Sequence, residues 1–375
     1  MSGLLPPPHL IESDADVAQL MKVLAAEPAL AVDTESNSLF VYRERVCLIQ
    51  FSTPQADYIV DPLRADVRPL APLFANPQQQ KIFHAAEYDI LSLKRDYGFE
   101  FANLFDTMVA ARTLGWTQTG LAALLEQHFG VKMNKKHQRA NWGKRPLSAE
   151  QLDYARLDTH YLFQLRDLLL AKLIQTECLA EAQEEFDRLA RLKPESTTPD
   201  PHAFWRVSGA HDLDARQAAI LNELFLYRDR QARRHDVPPF KVMSDATLVA
   251  LAKQAPQRKE DLRGVFGMTA GQIARHGEEL LAAVKRGLAA PPARRPKSLP
   301  EPDEVRERFE KLRRWRRQKA QARGVESDVI MPREALWELA RRAPRTIDEL
   351  AKLEHLGPWR RQKYGAEILK VLADK

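Results

Sequence analysis

Two carboxylates one residue apart, Asp33 and Glu35, close an apolar run that begins at Leu30. In an extended strand alternate side chains share a face, so both acids would point the same way. Like charges held that close need a cation between them, or one must take up a proton at a cost. A third acid, Asp89, lies in His84-Ala85-Ala86-Glu87-Tyr88-Asp89, where a helix should start after a short strand. Tyr154 and Asp158 stand four apart in Leu152-Asp153-Tyr154-Ala155-Arg156-Leu157-Asp158, a spacing that stacks both on one face of a helix.

These residue types suit phosphodiester hydrolysis. In-line displacement is served by two divalent cations roughly 3.5–4 Å apart, one near the attacking water and one near the leaving oxygen. Mg²⁺ and Mn²⁺ prefer oxygen ligands, so four carboxylates can hold such a pair while the substrate phosphate completes the shells. The Tyr154 hydroxyl can hydrogen-bond the attacking water and aim it at phosphorus. Taken singly, each residue has a structural role open to it: a helix cap for Asp89, core packing for Tyr154, an ion pair with Arg156 or Arg112 for Asp158.

The elements that must position them read as follows. Strands are expected at Leu30–Asp33, Val46–Ser52, Tyr58–Val60 and Lys81–His84. Helical periods follow over Leu70–Phe74, over Ala85–Tyr97 with Gly98 as the stop, and near Thr107–Leu114 and Leu121–Phe129. Ser148, with Gln151 three residues on, forms a capping box at the head of a long helix, and the helical reading runs to about Leu192. Strands first and helices interleaved afterwards predict an α/β domain with a mixed sheet.

Two polar, Pro-rich breaks divide the rest. One begins at Lys193; the other, Ala290 to Pro302, holds five prolines. The expected organisation is a nuclease domain over 1–192, a linker over 193–203, a helical domain over 204–289, a linker over 290–302 and a second helical domain over 303–375. The two rear domains are copies: adding 88 carries Tyr227 to Trp315, Arg228 to Arg316, Met243 to Met331, Leu248 to Leu336, Pro256 to Pro344 and Gly277 to Gly365. Apolar matches at helical spacing describe a small bundle used twice.

The 375 residues carry a net charge of +6, with 29% charged and 44% hydrophobic residues, as in an ordinary globular chain. The charge is uneven: 17 Lys/Arg against 20 Asp/Glu over residues 1–170, but 18 against 12 over 304–374. An acidic front and a basic rear fit a polyanionic substrate handled through metal ions. No apolar run approaches the roughly 20 residues that span a bilayer, and Met1 to Leu10 lacks a secretory pattern. Cys47 and Cys178 read as reduced thiols. The expectation is a cytoplasmic protein without membrane contact, monomeric in the absence of any oligomerisation signal.

The D-x-E, lone D and Y-x-x-x-D pattern resembles the DEDDy 3′–5′ exonucleases, and the duplicated bundle resembles the HRDC (helicase and ribonuclease D C-terminal) domain. One such nuclease domain followed by two HRDC copies resembles the bacterial ribonuclease D family over essentially the whole chain. The resemblance implies a ribonuclease H-like exonuclease fold, followed by two all-α HRDC bundles. It implies trimming of the 3′ ends of tRNA precursors and other structured RNAs, one 5′-mononucleotide at a time, with two divalent cations, Mg²⁺ or Mn²⁺. Carried over residue by residue, Asp33, Glu35 and Asp158 would hold the first metal, Asp33 and Asp89 the second, and Tyr154 would place the water. The third domain departs from the second: Ser244-Asp245 becomes Pro332-Arg333, and Asp236-Val237-Pro238 becomes Gly324-Val325-Glu326.

Two basic stretches are candidate RNA contacts. Lys132 to Arg145 has six Lys/Arg and no acid; in it Lys135, Lys136, Gln138, Arg139 and Arg145 could meet phosphates, and Trp142 or His137 could stack on an unpaired base. Arg306 to Arg323 has nine Lys/Arg against Glu307 and Glu310, with Arg313, Arg314, Arg316 and Arg317 flanking Trp315. His84 and His160 are assigned to support rather than chemistry. A DNA-directed exonuclease is the alternative enzyme, since carboxylates do not distinguish sugars; a non-catalytic RNA-binding scaffold is the alternative outside catalysis.

Overall fold

The computed structural model describes residues 6–194, 200–295 and 301–374, the Lys135 side chain apart. The middle of each expected linker, 195–199 and 296–300, lies outside the described residues. The chain divides into two compact units: Met1–Ser36 with Val46–Pro194 and Glu301–Lys375, and Asn37–Arg45 with Glu195–Pro300.

The first unit is built on a six-stranded sheet of β1 (His9–Ile11), β2 (Ala29–Ser36), β3 (Val46–Ser52), β4 (Asp57–Val60), β5 (Gln80–Phe83) and β6 (Leu104–Asp106), in the order β1-β4-β3-β2-β5-β6. β2 runs antiparallel to β3 and parallel to β5, so the sheet is mixed, as expected. β3 is buried along its whole length, which fits its run of Val, Cys, Leu, Ile and Phe. The strands at the two edges, β1 and β6, have three residues each, too few to show an alternating pattern in the sequence.

Eight helices accompany the sheet: α1 (Asp14–Ala25), α2 (Ala71–Ala75), α3 (Glu87–Tyr97), α4 (Thr107–Thr113), α5 (Leu121–Phe129), α6 (Ala149–His160), α7 (Leu162–Gln175) and α8 (Leu179–Ala190). Gly98 ends α3 at φ 69°, in the left-handed region where a glycine costs least. The single long helix expected after Ser148 is three. Tyr161 breaks the helical run after α6, and Glu177, at φ 56°, turns the chain between α7 and α8. The Ser148–Gln151 capping box is present.

The helical copies are α9 (Ala215–Arg234), α10 (Pro239–Val242), α11 (Asp245–Gln254) and α12 (Ala270–Ala289) in the second unit, and α13 (Asp303–Arg323), α14 (Ser327–Ile330), α15 (Arg333–Arg342), α16 (Ile347–Leu350) and α17 (Pro358–Ala373) in the first. Each copy has its own core, around Leu221, Leu248 and Leu251 in one and Phe309, Leu336 and Leu339 in the other. The second copy joins the first unit through Arg360 on Glu184 (2.7 Å), Arg323 on Glu181 (2.7 Å) and Arg112 on Glu326 and Asp328 (2.6 Å each). In the second unit, Tyr42 donates through its hydroxyl to Asp229 at 2.6 Å. Among the described residues no helix is long and apolar enough to cross a membrane.

Candidate active site

Both acids of the D-x-E pair lie inside β2, which runs three residues beyond its expected end. There Asp33 pairs with Gln50 of β3 and Glu35 with Leu48. Helix α6 packs across β2, β3 and β4, and it brings Asp158 to the two strand acids. Carboxylate oxygens of Asp33, Glu35 and Asp158 lie within 4.8 Å of one another. Asp89, in the first turn of α3 and 5% exposed, sits outside that trio, where the Thr34 hydroxyl donates to it. The turn entering α3 is set by Asp106, whose carboxylate accepts from the Ala85 and Ala86 N–H groups (3.1 and 2.7 Å) while also capping α4.

Electrostatically the cluster is a surplus of negative charge. Burial, then the charges of Asp89, Asp158 and Glu35, hold Asp33 well above the usual carboxylate range. Burial and the Asp158 and Asp89 charges do the same to Glu35. Burial, with the Asp89 charge, lifts Asp158 to about 7; burial lifts Asp89 to about 7 although the Thr34 hydrogen bond opposes it. Acids crowded in this way fit a cation better than they fit one another. Tyr154 lies close enough that burial and the charges of Asp158, Glu35 and Asp33 raise its phenol far above the ordinary value. It therefore stays protonated, a hydrogen-bond donor throughout the working pH range.

A family of 3′–5′ exonucleases matches residues 8–174, and the HRDC domain family matches residues 217–284 and 305–372. Ribonuclease D of Acidiphilium cryptum is 31% identical over 99% of this chain and 94% of its own length. This chain belongs to the ribonuclease D family. The crystal structure of Escherichia coli RNase D, described as an exoribonuclease involved in structured RNA processing, superimposes with a TM-score of 0.71 at 25% identity, covering 98% of this chain and 99% of the other. The Saccharomyces cerevisiae exosome complex exonuclease RRP6 is 33% identical over 74% of this chain, which spans 40% of the length of that protein. As a ribonuclease D-family chain it is a 3′–5′ exoribonuclease, and its carboxylate cluster suits divalent cations.

The candidate RNA contacts divide. Trp142 is corrected: at 1% exposure it has no face for a base, because it packs with Cys47, Leu48, Ile59 and Ala155 and against the Tyr154 ring at 5.9 Å. It is a wall behind Tyr154. Arg145 is also committed elsewhere, to both Asp61 oxygens (2.5 and 2.8 Å) and to the Cys47 carbonyl (3.0 Å). Lys136, Gln138 and Arg139 are exposed, Lys136 on Glu150 at 2.9 Å, while the Lys135 side chain lies outside the described residues. Arg314 and Arg317 are exposed, Arg313 is exposed but paired with Glu310 (2.7 Å), and Arg316 turns inward to the Met331 carbonyl (2.9 Å). His84 bonds Thr107 (2.9 Å) and His160 bonds Asp57 (2.8 Å), both in supporting places.

Two polar residues at the site escaped the sequence reading. Thr34, between the paired acids, fixes Asp89, and nothing in its type signals this. Gln50 is fully buried, and among the described residues its amide has no hydrogen-bond partner. Its signal was available: one polar residue amid the apolar run of β3, opposite Asp33.

Proposed function

We propose that this exoribonuclease removes 5′-mononucleotides from the 3′ ends of tRNA precursors and other structured RNAs by a two-cation mechanism, working as a monomer in the cytoplasm. The observation that carries the reading is the convergence of Asp33, Glu35 and Asp158, drawn from a strand and a distant helix, beside Tyr154 and Asp89. Asp33, Glu35 and Asp158 would hold one Mg²⁺ or Mn²⁺, and Asp33 with Asp89 the other. Such ions, when bound, neutralise charge developing on the attacking water and on the leaving 3′ oxygen.

The chain's own part is positional. Tyr154, fixed by Trp142 behind its ring, offers its O–H to the attacking water and orients it without accepting the proton. Thr34 keeps Asp89 turned inward. Lys136, Gln138, Arg139, Arg314 and Arg317, all exposed, are the proposed contacts to the RNA strand outside the cluster. The free thiols Cys47 and Cys178, neither of them in a disulfide, fit a reducing compartment.

The test is release of labelled mononucleotide from a single-stranded RNA in Mg²⁺ or Mn²⁺, with a matched DNA strand beside it. Asp33→Ala and Asp158→Ala should abolish release, as should a chelator, because each substitution deletes a ligand and no core packing. Tyr154→Phe should be milder. Substantial activity in either alanine variant would overturn the assignment of the site.

A further inference from the structure

The two bundles carry a controlled comparison at one matched position. In the first, Arg228 donates to the Met243 carbonyl (3.2 Å), and its charge is met by Asp245 at 2.6 Å. In the second, the matched Arg316 donates to the matched Met331 carbonyl (2.9 Å), but the place of Asp245 is taken by Arg333. A counter-ion has been exchanged for a second cation. Among the described residues neither Arg316 nor Arg333 has a carboxylate partner, and the Nε of Arg316 is buried with no acceptor. Burial and the charges of Arg333 and Arg313 hold the Arg316 guanidinium below its ordinary range, although Asp328 and Glu334 partly offset them. Asp328 is engaged by Arg112 (2.6 Å), and Glu310 by Arg313 (2.7 Å).

The neighbouring residue changes in the same sense. Ser244 caps α11 in the first copy, its hydroxyl accepting from the Thr247 N–H (3.2 Å). Its match, Pro332, has no such oxygen, so the ten-residue helix α15 begins uncapped, with Arg333 as its first residue. The N-terminus of a helix attracts anions; here the sequence removes the cap and adds a cation. Arg316 and Arg333 open onto a cavity of about 960 Å³ lined also by Arg313, Phe309 and Trp337, and by three acids that already have partners: Asp303 on Arg306, Glu307 on Lys311 (3.0 Å) and Glu310 on Arg313 (2.7 Å). Phe309 and Trp337 stack at 3.9 Å and 15°, where the first copy has Leu221 and Val249.

We propose that Arg316 and Arg333, at the uncapped start of α15, form a binding site for a backbone phosphate of the RNA substrate, with the Phe309–Trp337 stack as the apolar wall beside the nucleotide. Two guanidiniums without a carboxylate are a fork for phosphate oxygens. The ligand class rests on the exoribonuclease reading; the site itself rests on the missing counter-ion.

The experiment is binding of a labelled single-stranded RNA to the full chain in chelator, which stops hydrolysis, over a series of salt concentrations. Arg333→Asp rebuilds the first copy's ion pair with Arg316, so its thermal midpoint should equal or exceed that of the wild type. Its Kd should rise about 5–10-fold near 0.1 M salt, and the slope of log K against log salt should fall by about one to two. Arg333→Ala, which introduces no new pair, should show the smaller slope too, and Arg333→Lys should recover most of the affinity. Unchanged Kd and slope in both the Asp and Ala variants would overturn the proposal. Hydrolysis by the wild type in Mg²⁺, followed in parallel, reports separately on the nuclease reading.

Discussion

Thr269 caps the last helix of the first HRDC bundle from within, accepting the Gln272 N–H at 3.2 Å, whereas the second bundle takes the same cap from the nuclease domain. The match of Thr269 is Gly357, which has no oxygen to offer. In its place Glu184 of α8 reaches over, its Oε2 accepting the N–H groups of Trp359 (2.7 Å) and Arg360 (3.3 Å) while its Oε1 takes the Arg360 side chain (2.7 Å). A Cβ at Gly357 would overlap the Glu184 carboxyl carbon, so the glycine clears the path for its own replacement cap. Arg360 matches Gln272, and both hold the short helix before them: Gln272 through the Val242 carbonyl (3.4 Å), Arg360 through those of Ile330 (3.0 Å) and Val329 (2.8 Å). The cores meanwhile stay alike, Leu248 and Leu251 as buried as Leu336 and Leu339. A duplicated bundle keeps what packs internally and changes where it answers a neighbour.

The sharpest way to break this comparison is Glu184→Ala. Both partners of the Glu184–Arg360 pair are nearly buried, with side chains 7% and 5% exposed. Removing the acid leaves the buried guanidinium with the more distant Glu185 (3.9 Å) as its counter-charge and uncaps α17, and breaking such a buried pair costs about 3–5 kcal/mol, here toward the lower end. Gln272→Ala, in the first copy, removes one long neutral hydrogen bond and should cost about 1 kcal/mol or less. Chemical denaturation of the two variants gives both numbers. Equal losses would show that the second bundle does not depend on its borrowed acid.

Within that same unit, buried acids are held in a second way, and pH separates the two. Glu184 has Arg360 as its counter-charge; among the described residues the cluster at Asp33 has none. Asp89 and Asp158 titrate near 7 in the fold against about 4 in an unfolded chain. Between those values the folded state binds more protons than the unfolded one, so stability without cations must fall as pH rises from about 4 to 7. At about 1.4 kcal/mol per pH unit for each of the two groups, the loss over that span reaches at most roughly 8 kcal/mol. A divalent cation replaces the protons, so its stabilising effect should grow over the same range. Thermal melts at pH 5 and 8, in chelator and in Mn²⁺, check both signs. A chelated protein equally stable at both values would mean that the cluster is not under this strain.

What the sequence disclosed, and what it withheld, follows from the reach of each interaction. Asp33 with Glu35, and Tyr154 with Asp158, were legible because two-residue and four-residue spacings translate directly into shared faces. Ser148 with Gln151 was legible for the same reason. The breaks at Tyr161 and Glu177 were not, since neither has a Gly or Pro and apolar residues resume directly after both. Trp142 misled because its type suits a base-stacking surface as well as a core, and only the fold of β3 and α6 around it decides. Arg333 stood out as a departure from the repeat and Gly357 did not, and the meaning of both depends on groups distant in the chain: the lack of a counter-ion for Arg333, the presence of Glu184 for Gly357.

The smallest expected effect is also the most specific to the cap. Thr269→Ala should cost the first copy about 1 kcal/mol, the usual loss when an N-cap hydroxyl is removed. The reverse change, Gly357→Thr, gives the second copy the first copy's capping residue. In the wild-type background it should destabilise, because the new Cβ meets the Glu184 carboxyl group. In the Glu184→Ala background that obstacle is gone and α17 lacks a cap, so the same threonine should stabilise. A change of sign between the two backgrounds, read from a double-mutant cycle by thermal unfolding, is what exchange of an internal cap for an external one requires. If Gly357→Thr has the same sign in both, the glycine is there for the backbone alone, and the two copies differ less than their contacts imply.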